Sequence, residues 1–329
     1  MSRFIVSSSP HSKDHRNVST VMGCVLIAMT PAAITSVLYF GWKAILLLVI
    51  SVLSCVLFEY LYNLIAKRTQ TLYDCSAIVT GVLLAFNLPA TAPVWLPPIG
   101  AAFAIIVVKM LFGGLGKNIF NPALGGRIFL FLCFGQYMSG NWITPFDGVS
   151  SATPLEYLKN ANGELVNITD KFTVGDCFLG NVGGCLGETS AVLLLLGGLY
   201  LLNKRIITWH IPVSFIGTVA LITFVFPNHS DIASWQYMLY QISSGGLFLG
   251  AFFMATDYAT SPVTPRGRLF YGIGCGLLTV FIRYFGSYPE GVSFAIFMMN
   301  CFAGYLDKKT IPLNFGGERR VFRSKKAKE

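Results

Sequence analysis

Charged residues are scarce in this chain of 329 residues, where Asp, Glu, Lys and Arg together make up 12%. A soluble domain carries roughly 25% of such residues. Hydrophobic residues account for 54% of the chain, and long apolar runs recur along it. The composition therefore excludes an ordinary soluble domain and predicts an all-α polytopic membrane protein that is surrounded by lipid.

Clustered metal ligands are also lacking. The eight Cys are scattered without a Cys-x-x-Cys pair, and the four His lie apart near the ends of segments. We therefore predict no metal or iron–sulfur ligation within this chain and no proton relay built on His. Cys177 and Cys185 share one long loop, where they form either a disulfide or two free thiols.

A nucleic-acid partner is disfavoured despite the net charge of +9. Eight of the 24 Lys and Arg residues lie from Lys308 onward, after the last apolar run. Basic residues that flank a last membrane span are typical of a cytoplasmic tail. The charge therefore indicates membrane topology.

Ten apolar stretches organise the chain. They run approximately over Val18–Phe40, Ala44–Asn63, Ser76–Phe86, Val94–Phe112, Ala123–Phe134, Ser190–Leu202, Trp209–Phe226, Gly245–Ala255, Leu269–Tyr284 and Val292–Leu306. We predict five parts: a cytoplasmic segment 1–17, a first five-helix unit 18–134, an extracytoplasmic loop 135–189, a second five-helix unit 190–306 and a basic cytoplasmic tail 307–329.

The basic residues predict the orientation of these spans. With both termini in the cytoplasm, the inside segments hold 20 Lys and Arg and the outside segments hold 4. That assignment counts Lys109 and Arg127 as inside and Arg283 as outside. Such a bias is strong for a bacterial inner-membrane protein, and it places the loop 135–189 on the outer face.

An internal repeat relates the two five-helix units. Residues 81–94 align with residues 250–263, with identical Gly, Ala, Thr, Pro and Val residues at five aligned positions. These segments end the third and eighth stretches, five spans apart, so the second copy enters the membrane from the opposite side. We predict two inverted five-helix repeats with broken third and eighth helices.

Broken helices leave backbone groups that need partners, which lipid does not supply. Five polar residues lie in or beside these breaks and are candidates for a cavity site between the repeats. They are Asn87, Thr91, Thr256, Asp257 and Thr260. Ordinary capping of helix ends explains the same residues, and that alternative stays open.

Two ionisable residues and one turn complete the membrane interpretation. We expect Lys109 to extend to the inside surface and Glu59 to lie near an interface, and neither is assigned as an ion ligand.

Residues 113–122 are rich in glycine at their start but lack the spacing of a phosphate-binding loop. They predict a tight inside turn, with a helix beginning after Asn121-Pro122.

The polar stretch Asp147–Leu155 is the main interruption of the apolar sequence. Its residue types predict a turn that feeds a short helix, with Ser150, Ser151 or Thr153 as the cap and Pro154 at the first helical position. No His lies in this loop, so Thr153 lacks a local base that would make it a nucleophile, and we assign no catalytic residue to the chain.

The same stretch resembles a flavin-attachment motif. Asp147-x-x-Ser150-Ser151-Ala152-Thr153 is similar to the motif Asp-x-x-(Ser/Thr)-(Gly/Ser/Ala)-Ala-Thr of the RnfD/NqrB family. Further similar blocks are Gly180–Gly184, Asp257–Val263 and Tyr288–Ser293. The start of the chain, 17 residues before its first apolar stretch, resembles RnfD more than the longer NqrB proteins.

The resemblance implies a subunit of an ion-translocating ferredoxin:NAD oxidoreductase complex. It implies FMN joined to Thr153 as a phosphoester by a flavin transferase, with Asp147, Ser150, Ser151 and Ala152 as the recognition sequence. It further implies electron exchange with a second flavin-bearing subunit, coupling to Na⁺ or H⁺ movement, and a candidate site for a non-covalent riboflavin in the broken-helix cavity. A solute channel or transporter with the same inverted repeats is the alternative.

Overall fold

A computed structural model describes residues 17–139, 142–145, 152–160, 172–188, 190–228, 232–286 and 288–312. Throughout these ranges the secondary structure is helical, without a β-strand. The predicted all-α class is therefore confirmed for the described residues. Three helices there are long and apolar enough to cross a membrane, namely Val18–Phe40, Trp42–Ile65 and Pro265–Phe285.

The first half contains five helical segments that follow the first five predicted stretches. They are α1 (Val18–Phe40), α2 (Trp42–Ile65), α3 (Ser76–Phe86), α4 (Leu96–Ala102, continued by a π-helix over Phe103–Met110) and α5 (Pro122–Cys133). Asn121 caps α5 by accepting a hydrogen bond from Ala123 N at 3.0 Å, and Pro122 occupies the first helical position. The predicted start of this helix is confirmed.

Short helices connect the two halves. They are α6 (Gly135–Met138), α7 (Pro154–Asn160) and α8 (Val174–Leu179), followed by a 3₁₀ turn over Leu186–Glu188. Thr173 and Asp176 form a reciprocal capping box at the start of α8. The hydrogen bond from Leu186 N to Leu88 O, 2.9 Å long, ties this region to the chain just after α3.

The second half repeats the pattern with one additional helix. Its segments are α9 (Ala191–Asn203), α10 (His210–Val225), α11 (Ser234–Ser243), α12 (Leu247–Leu249, continued by a π-helix over Gly250–Met254), α13 (Pro265–Phe285) and α14 (Val292–Thr310). The polar α11 does not correspond to any of the ten apolar stretches. The other five lie where the apolar runs predict them.

Helical segments end near both of the predicted breaks in the described chain. Helix α3 ends at Phe86 after 11 residues, and the π-helix that continues α12 ends at Met254. One packing contact occurs in both halves of the predicted repeat, because the fourth segment packs on the fifth in each. Helix α4 packs on α5, and α13 packs on α14. Packing between consecutive helices is common to helical bundles, so the repeat and its inverted two-fold relation stay predictions.

The main hydrophobic core lies between the halves. Phe86 from α3, Phe215 from α10 and Tyr271 from α13 are each fully buried within it. Large apolar side chains on the outer faces of α1, α2 and α13 are exposed instead, among them Leu38, Leu53 and Phe281. Exposed apolar faces around a packed interior are typical of helices that contact lipid.

Candidate functional site

Thr153 lies at the start of α7, where the sequence predicted a cap. Its Oγ1 accepts a hydrogen bond from Glu156 N at 3.2 Å, and its side chain is 6% exposed. The capping interpretation is confirmed for Thr153. Of the other motif residues, Ala152 is half-buried, whereas Asp147, Ser150 and Ser151 lie outside the described residues.

A cavity of about 330 Å³, part of it open to solvent, adjoins Thr153. Small residues form much of its lining, including Gly183, Gly184 and Ser244, and two carboxylates complete it, Glu188 and Glu290. The Thr153 cavity therefore joins the candidate attachment residue to a pair of acids that come from the connections before α9 and α14.

Arg127 connects Glu290, one member of this acidic pair, to the centre of the molecule. Its guanidinium donates to Glu290 Oε2 in a largely buried ion pair and to Asn87 Oδ1 at 2.5 Å. Asn87 in turn donates to Leu83 O and lies 4.0 Å from Met254 Sδ. A polar chain thus runs from the Thr153 cavity to the ends of both broken helices.

Arg283 approaches the same cluster from α13. Its guanidinium donates to Gln241 Oε1 at 2.9 Å, to Ser244 O at 3.2 Å and to the backbone oxygen of Glu290 at 3.0 Å. All of these acceptors are uncharged. Arg283 therefore positions the connection that carries Glu290 while keeping its own charge close to the two carboxylates.

Three of the basic residues that the charge count assigns to a side of the membrane lie within helices. Lys109, Arg127 and Arg283 are buried inside the protein, at 1%, 9% and 5% exposure, and do not lie in loops. Arg127 lies within α5, which begins at Pro122. Removing these three residues leaves the direction of the charge bias unchanged.

The cysteines of the connecting region are free thiols. Cys177 and Cys185 are both buried and form no disulfide with each other, which decides between the two alternatives of the sequence. Burial raises the pKa of Cys177 to about 11, and burial with the Glu188 charge raises the pKa of Cys185 well above its usual value. Both thiols are therefore protonated at neutral pH.

A second cavity lies on the other side of Glu290. It measures about 930 Å³, part of it open to solvent, and is lined by Arg127, Trp142, Phe131, Tyr288 and Phe294 among others. Tyr288 and Phe294 stack with their ring centroids 5.6 Å apart and their planes at 10°. This aromatic cavity shares the Glu290 side chain with the Thr153 cavity, so the two are neighbours.

The inner cavity lies between the two broken segments and measures about 700 Å³, part of it open to solvent. Thr256 and Asp257, two of the predicted cavity residues, line it together with Lys109, Asn118 and Asn121. Thr256 Oγ1 also donates to Phe252 O at 2.6 Å. The local bonds of the capping alternative therefore coexist with exposure to a cavity.

The remaining predicted cavity residues lie elsewhere. Asn87 is 1% exposed and belongs to the Arg127 cluster. Thr260 is buried and donates to Asp257 Oδ2 at 3.2 Å, and Thr91 is half-buried beyond the end of α3. The structure brings Thr256, Asp257 and Thr260 together and leaves Asn87 on the side of Thr153.

Glu59 and Lys109 form a buried ion pair, which corrects the expectation that both lie at a membrane surface. Their charged atoms are 2.6 Å apart, and the side chains are 0% and 2% exposed. Lys109 Nζ also donates to Ser76 Oγ at 2.7 Å, and Thr71 Oγ1 donates to Glu59 Oε1 at 2.6 Å. Lys109 thereby presents a fixed ammonium to the inner cavity.

The sequence did not single out Glu188, Glu290 or Arg127 as site residues. Arg127 and Glu290 are 163 positions apart, so no local spacing reveals their contact. The sequence did contain a signal for the two glutamates as site residues, because Glu188 and Glu290 each lie in a short connection between helices with few other charged residues. Cys185, Glu188 and Glu290 also place ligand atoms within 4.8 Å of one another, but Arg127 donates into this group. The absence of metal ligation stays a prediction.

The chain is similar to known proteins along nearly its whole length. The model of the family described as "NQR2, RnfD, RnfE family" matches residues 5–316. The D subunit of the Na(+)-translocating ferredoxin:NAD(+) oxidoreductase complex of Acetobacterium woodii is 44% identical over 307 residues, covering 93% of each chain. The proton-translocating counterpart of Clostridium ljungdahlii is 40% identical, covering 96% of this chain and 97% of the relative. The D subunit of the ion-translocating oxidoreductase complex of Stutzerimonas stutzeri is 37% identical, covering 92% and 94%.

Proposed function

The chain belongs to the NQR2, RnfD, RnfE family, and we propose that it is the D subunit of an ion-translocating ferredoxin:NAD oxidoreductase complex. In this role it is a membrane redox subunit that carries FMN covalently on Thr153 and passes electrons between neighbouring carriers. The coupled ion is Na⁺ or H⁺, the two ions in the relatives' names. The observation that carries the proposal is Thr153, the last motif residue, on the lining of a cavity.

The residues around Thr153 fit a phosphoester. Its Oγ1 accepts a hydrogen bond from Glu156 N, so the hydroxyl hydrogen is the part that a phosphate replaces. Gly183, Gly184 and Gly245 line the cavity that adjoins Thr153 and bring no Cβ into it. FMN, when bound, supplies the redox chemistry, and the protein fixes its position relative to neighbouring carriers.

The aromatic cavity suits the flat ring system of the same FMN. Phe131, Tyr288 and Phe294 offer ring faces and edges for stacking, and the Arg127 guanidinium offers hydrogen-bond donors to ring carbonyl oxygens. Because Glu290 lines both cavities, the aromatic cavity is the neighbouring space for a ring that is anchored at Thr153. We place the phosphate in the first cavity and the ring in the second.

The positive-inside bias puts this site on the outer face of the bacterial inner membrane, with both termini in the cytoplasm. The partners in this arrangement are the lipid bilayer and the other subunits of the complex. They include a second flavin-bearing subunit that exchanges electrons with the FMN, and a flavin transferase that acts during maturation. Nucleic acid has no role in it.

A non-covalent riboflavin in the inner cavity is the second part of the proposal. Riboflavin carries no phosphate, so its ring and hydroxyl groups need neutral donors and acceptors more than cations. Asn118, Asn121 and Thr256 offer these groups, while Phe252 and Phe253 offer apolar surface. The Lys109 charge is already balanced by Glu59, which suits an uncharged ligand.

In-gel fluorescence of the denatured chain tests the covalent attachment. The complex is purified from cells that contain a flavin transferase, and wild type is compared with Thr153→Ala under ultraviolet light. We expect a fluorescent wild-type band and a dark Thr153→Ala band. Thr153→Ser, which keeps a hydroxyl, tests whether the oxygen is sufficient.

Thr173→Ala is the matched control, because Thr173 also caps a short helix in the connecting region. It should stay as fluorescent as wild type. A dark wild-type band in the presence of an active transferase would remove the FMN assignment. Solute transport through the space between the broken helices would then become the leading function.

A further inference from the structure

Glu188 belongs to the cluster of Arg127, Glu188 and Glu290, and its carboxylate lacks strong hydrogen bonds. Among the described residues its Oε1 is buried without a partner, and its Oε2 accepts from Cys185 N at the long distance of 3.4 Å. A Cβ on Gly246 would lie 2.8 Å from Oε1, and one on Gly184 would lie 3.2 Å from Oε2. Two glycines therefore make the space in which this carboxylate sits.

The cations nearby are committed to other acceptors. In the described residues Arg127 donates to Asn87, Cys185 and Glu290, and Arg283 donates to Gln241, Ser244 and the backbone of Glu290. Neither guanidinium donates to Glu188 within this part of the chain. A buried carboxylate without such a donor is costly in its charged form, and taking up a proton removes that cost.

The ionisable groups that face Glu188 come from each neighbouring segment. Arg127 comes from α5, Arg283 from α13, Glu290 from the connection before α14 and Cys185 from the same turn. Burial, followed by the Glu290 charge, raises the pKa of Glu188 to about 8, and the Arg127 charge lowers it. At neutral pH the Glu188 carboxyl is therefore mostly protonated, and it becomes a carboxylate as the pH rises through about 8.

We propose that Glu188, once ionised in the oxidised complex, takes up one proton from the outer solvent when one electron reaches the flavin on Thr153, and releases it when that electron leaves. The electron comes from the flavin of the neighbouring subunit, and the proton converts the carboxylate to a carboxylic acid, so the net charge of the cavity is unchanged. This inference rests on the proposed attachment of FMN, since Thr153 and Glu188 line one cavity.

The coupling follows from electrostatics in a site of low dielectric constant. A negative charge added near Glu188 increases its affinity for a proton. By linkage, a protonated Glu188 makes reduction of the flavin more favourable by the same factor. Glu188 thus acts as a positioning and charge-balancing residue, and its effect is seen in the potential of the flavin more than in the presence of flavin.

The test is the midpoint potential of the covalent FMN as a function of pH, measured on the intact complex. In wild type we expect the potential to fall as the pH rises above about 8, where Glu188 is ionised in the oxidised state, with a slope approaching about 59 mV per tenfold change in proton activity for one electron. Glu188→Gln should remove most of this slope while keeping a fluorescent band. Asp176→Asn, which removes a carboxylate from the α8 capping box, should keep the slope.

A pH-independent wild-type potential on a fluorescent chain would overturn the proton linkage and leave the FMN assignment intact. A dark chain would instead remove the FMN assignment and the linkage with it. If Glu188→Gln fails to assemble, infrared difference spectra of the wild type decide the question. Reduction should create a carboxylic acid C=O band that shifts in heavy water, and its absence would overturn the proposal.

Discussion

Glu59 and Lys109 show at the scale of single residues how the chain keeps charge within an apolar interior. The pair is sealed from solvent, and Ser76 and Thr71 satisfy further hydrogen-bonding atoms. A buried pair of this kind is often no more stable than two apolar residues, but one member left alone is strongly destabilising. The pair therefore indicates a role beyond stability, and the inner cavity that Lys109 lines is the place for it.

The pair gives a residue-scale prediction. Lys109→Met should lower the free energy of unfolding by about 3–5 kcal/mol, because Glu59 then stays buried without its partner. The double substitution Glu59→Leu with Lys109→Met should recover most of that loss. Thermal or denaturant unfolding in detergent measures both.

Lys43→Met is the control for this comparison, since Lys43 is exposed at the start of α2. It should change stability little. A double variant as unstable as Lys109→Met would contradict the expectation, because it would show that the ionic contact itself, and not the orphaned charge, sets the cost.

The structural role of a residue was predictable where it depends on neighbouring residues in the sequence. Thr153 was one of three candidate caps, with Ser150 and Ser151, because Pro154 and Glu156 come after it, and Asn121 precedes Pro122 in the same way. Arg127, Glu188 and Glu290 were not predictable as a cluster, since three separate segments of the chain bring them together. Sequence spacing carries no information about contacts that only the packing of distant helices creates.

Two glycines of the internal repeat matter at the scale of helices. Gly81 in α3 and Gly250 in the π-helix are aligned, and each lies where another element approaches closely. A Cβ on Gly81 would lie 2.6 Å from Val52 Cα, a backbone atom of α2. A Cβ on Gly250 would lie 2.4 Å from Val292 Cγ1, a side-chain atom of α14.

This difference gives an element-scale prediction. Gly81→Ala and Gly250→Ala should each destabilise the protein by about 1–3 kcal/mol through overpacking. Val292→Ala should relieve Gly250→Ala, because it removes the obstructing methyl group. Val52→Ala should not relieve Gly81→Ala, because the obstruction is backbone. Unfolding in detergent measures these pairs.

Gly23→Ala in α1 provides the reference, because nothing lies within 4 Å of the added Cβ. It should be neutral or stabilising by up to about 1 kcal/mol through helix propensity. Equal rescue of both repeat glycines by their valine partners would refute the distinction between backbone and side-chain obstruction.

Helix positions were predictable because a helix that is buried in the protein or faces lipid needs a long run of apolar residues. Each of the ten runs corresponds to a helical segment in the described residues. The π-helical register of Phe103–Met110 was not predictable, since residue type does not encode which carbonyl an N–H selects. Helix α11 was missed because its polar residues interrupt every apolar window.

The whole molecule has an orientation that the charge bias predicts and that thiol labelling tests. In a chain whose eight native Cys are replaced by Ser, Asn181→Cys should react with a membrane-impermeant reagent in intact cells. Lys204→Cys should react only after the cells are permeabilised. Both positions are exposed, so accessibility reports the side of the membrane.

Labelling of Lys204→Cys in intact cells, with Asn181→Cys protected, would invert the proposed topology. It would place the Thr153 cavity on the cytoplasmic side. The inverted relation of the two halves follows from an odd number of spans between the aligned segments. Labelling that contradicts the ten-span count would therefore also rule out the inverted relation. The close approach at the two aligned glycines is independent of it.

The burial of Thr153 has a consequence for the order in which the protein matures. Thr153 is only 6% exposed and lies beside Glu156 and the Gly183–Gly184 turn, so little of it is open to an incoming phosphoryl donor. If Thr153 receives FMN, the transferase therefore acts on the outer loop before α7 settles into place. Attachment would then be a step of biogenesis that the finished fold closes off, and a subunit that folds without flavin would stay without it.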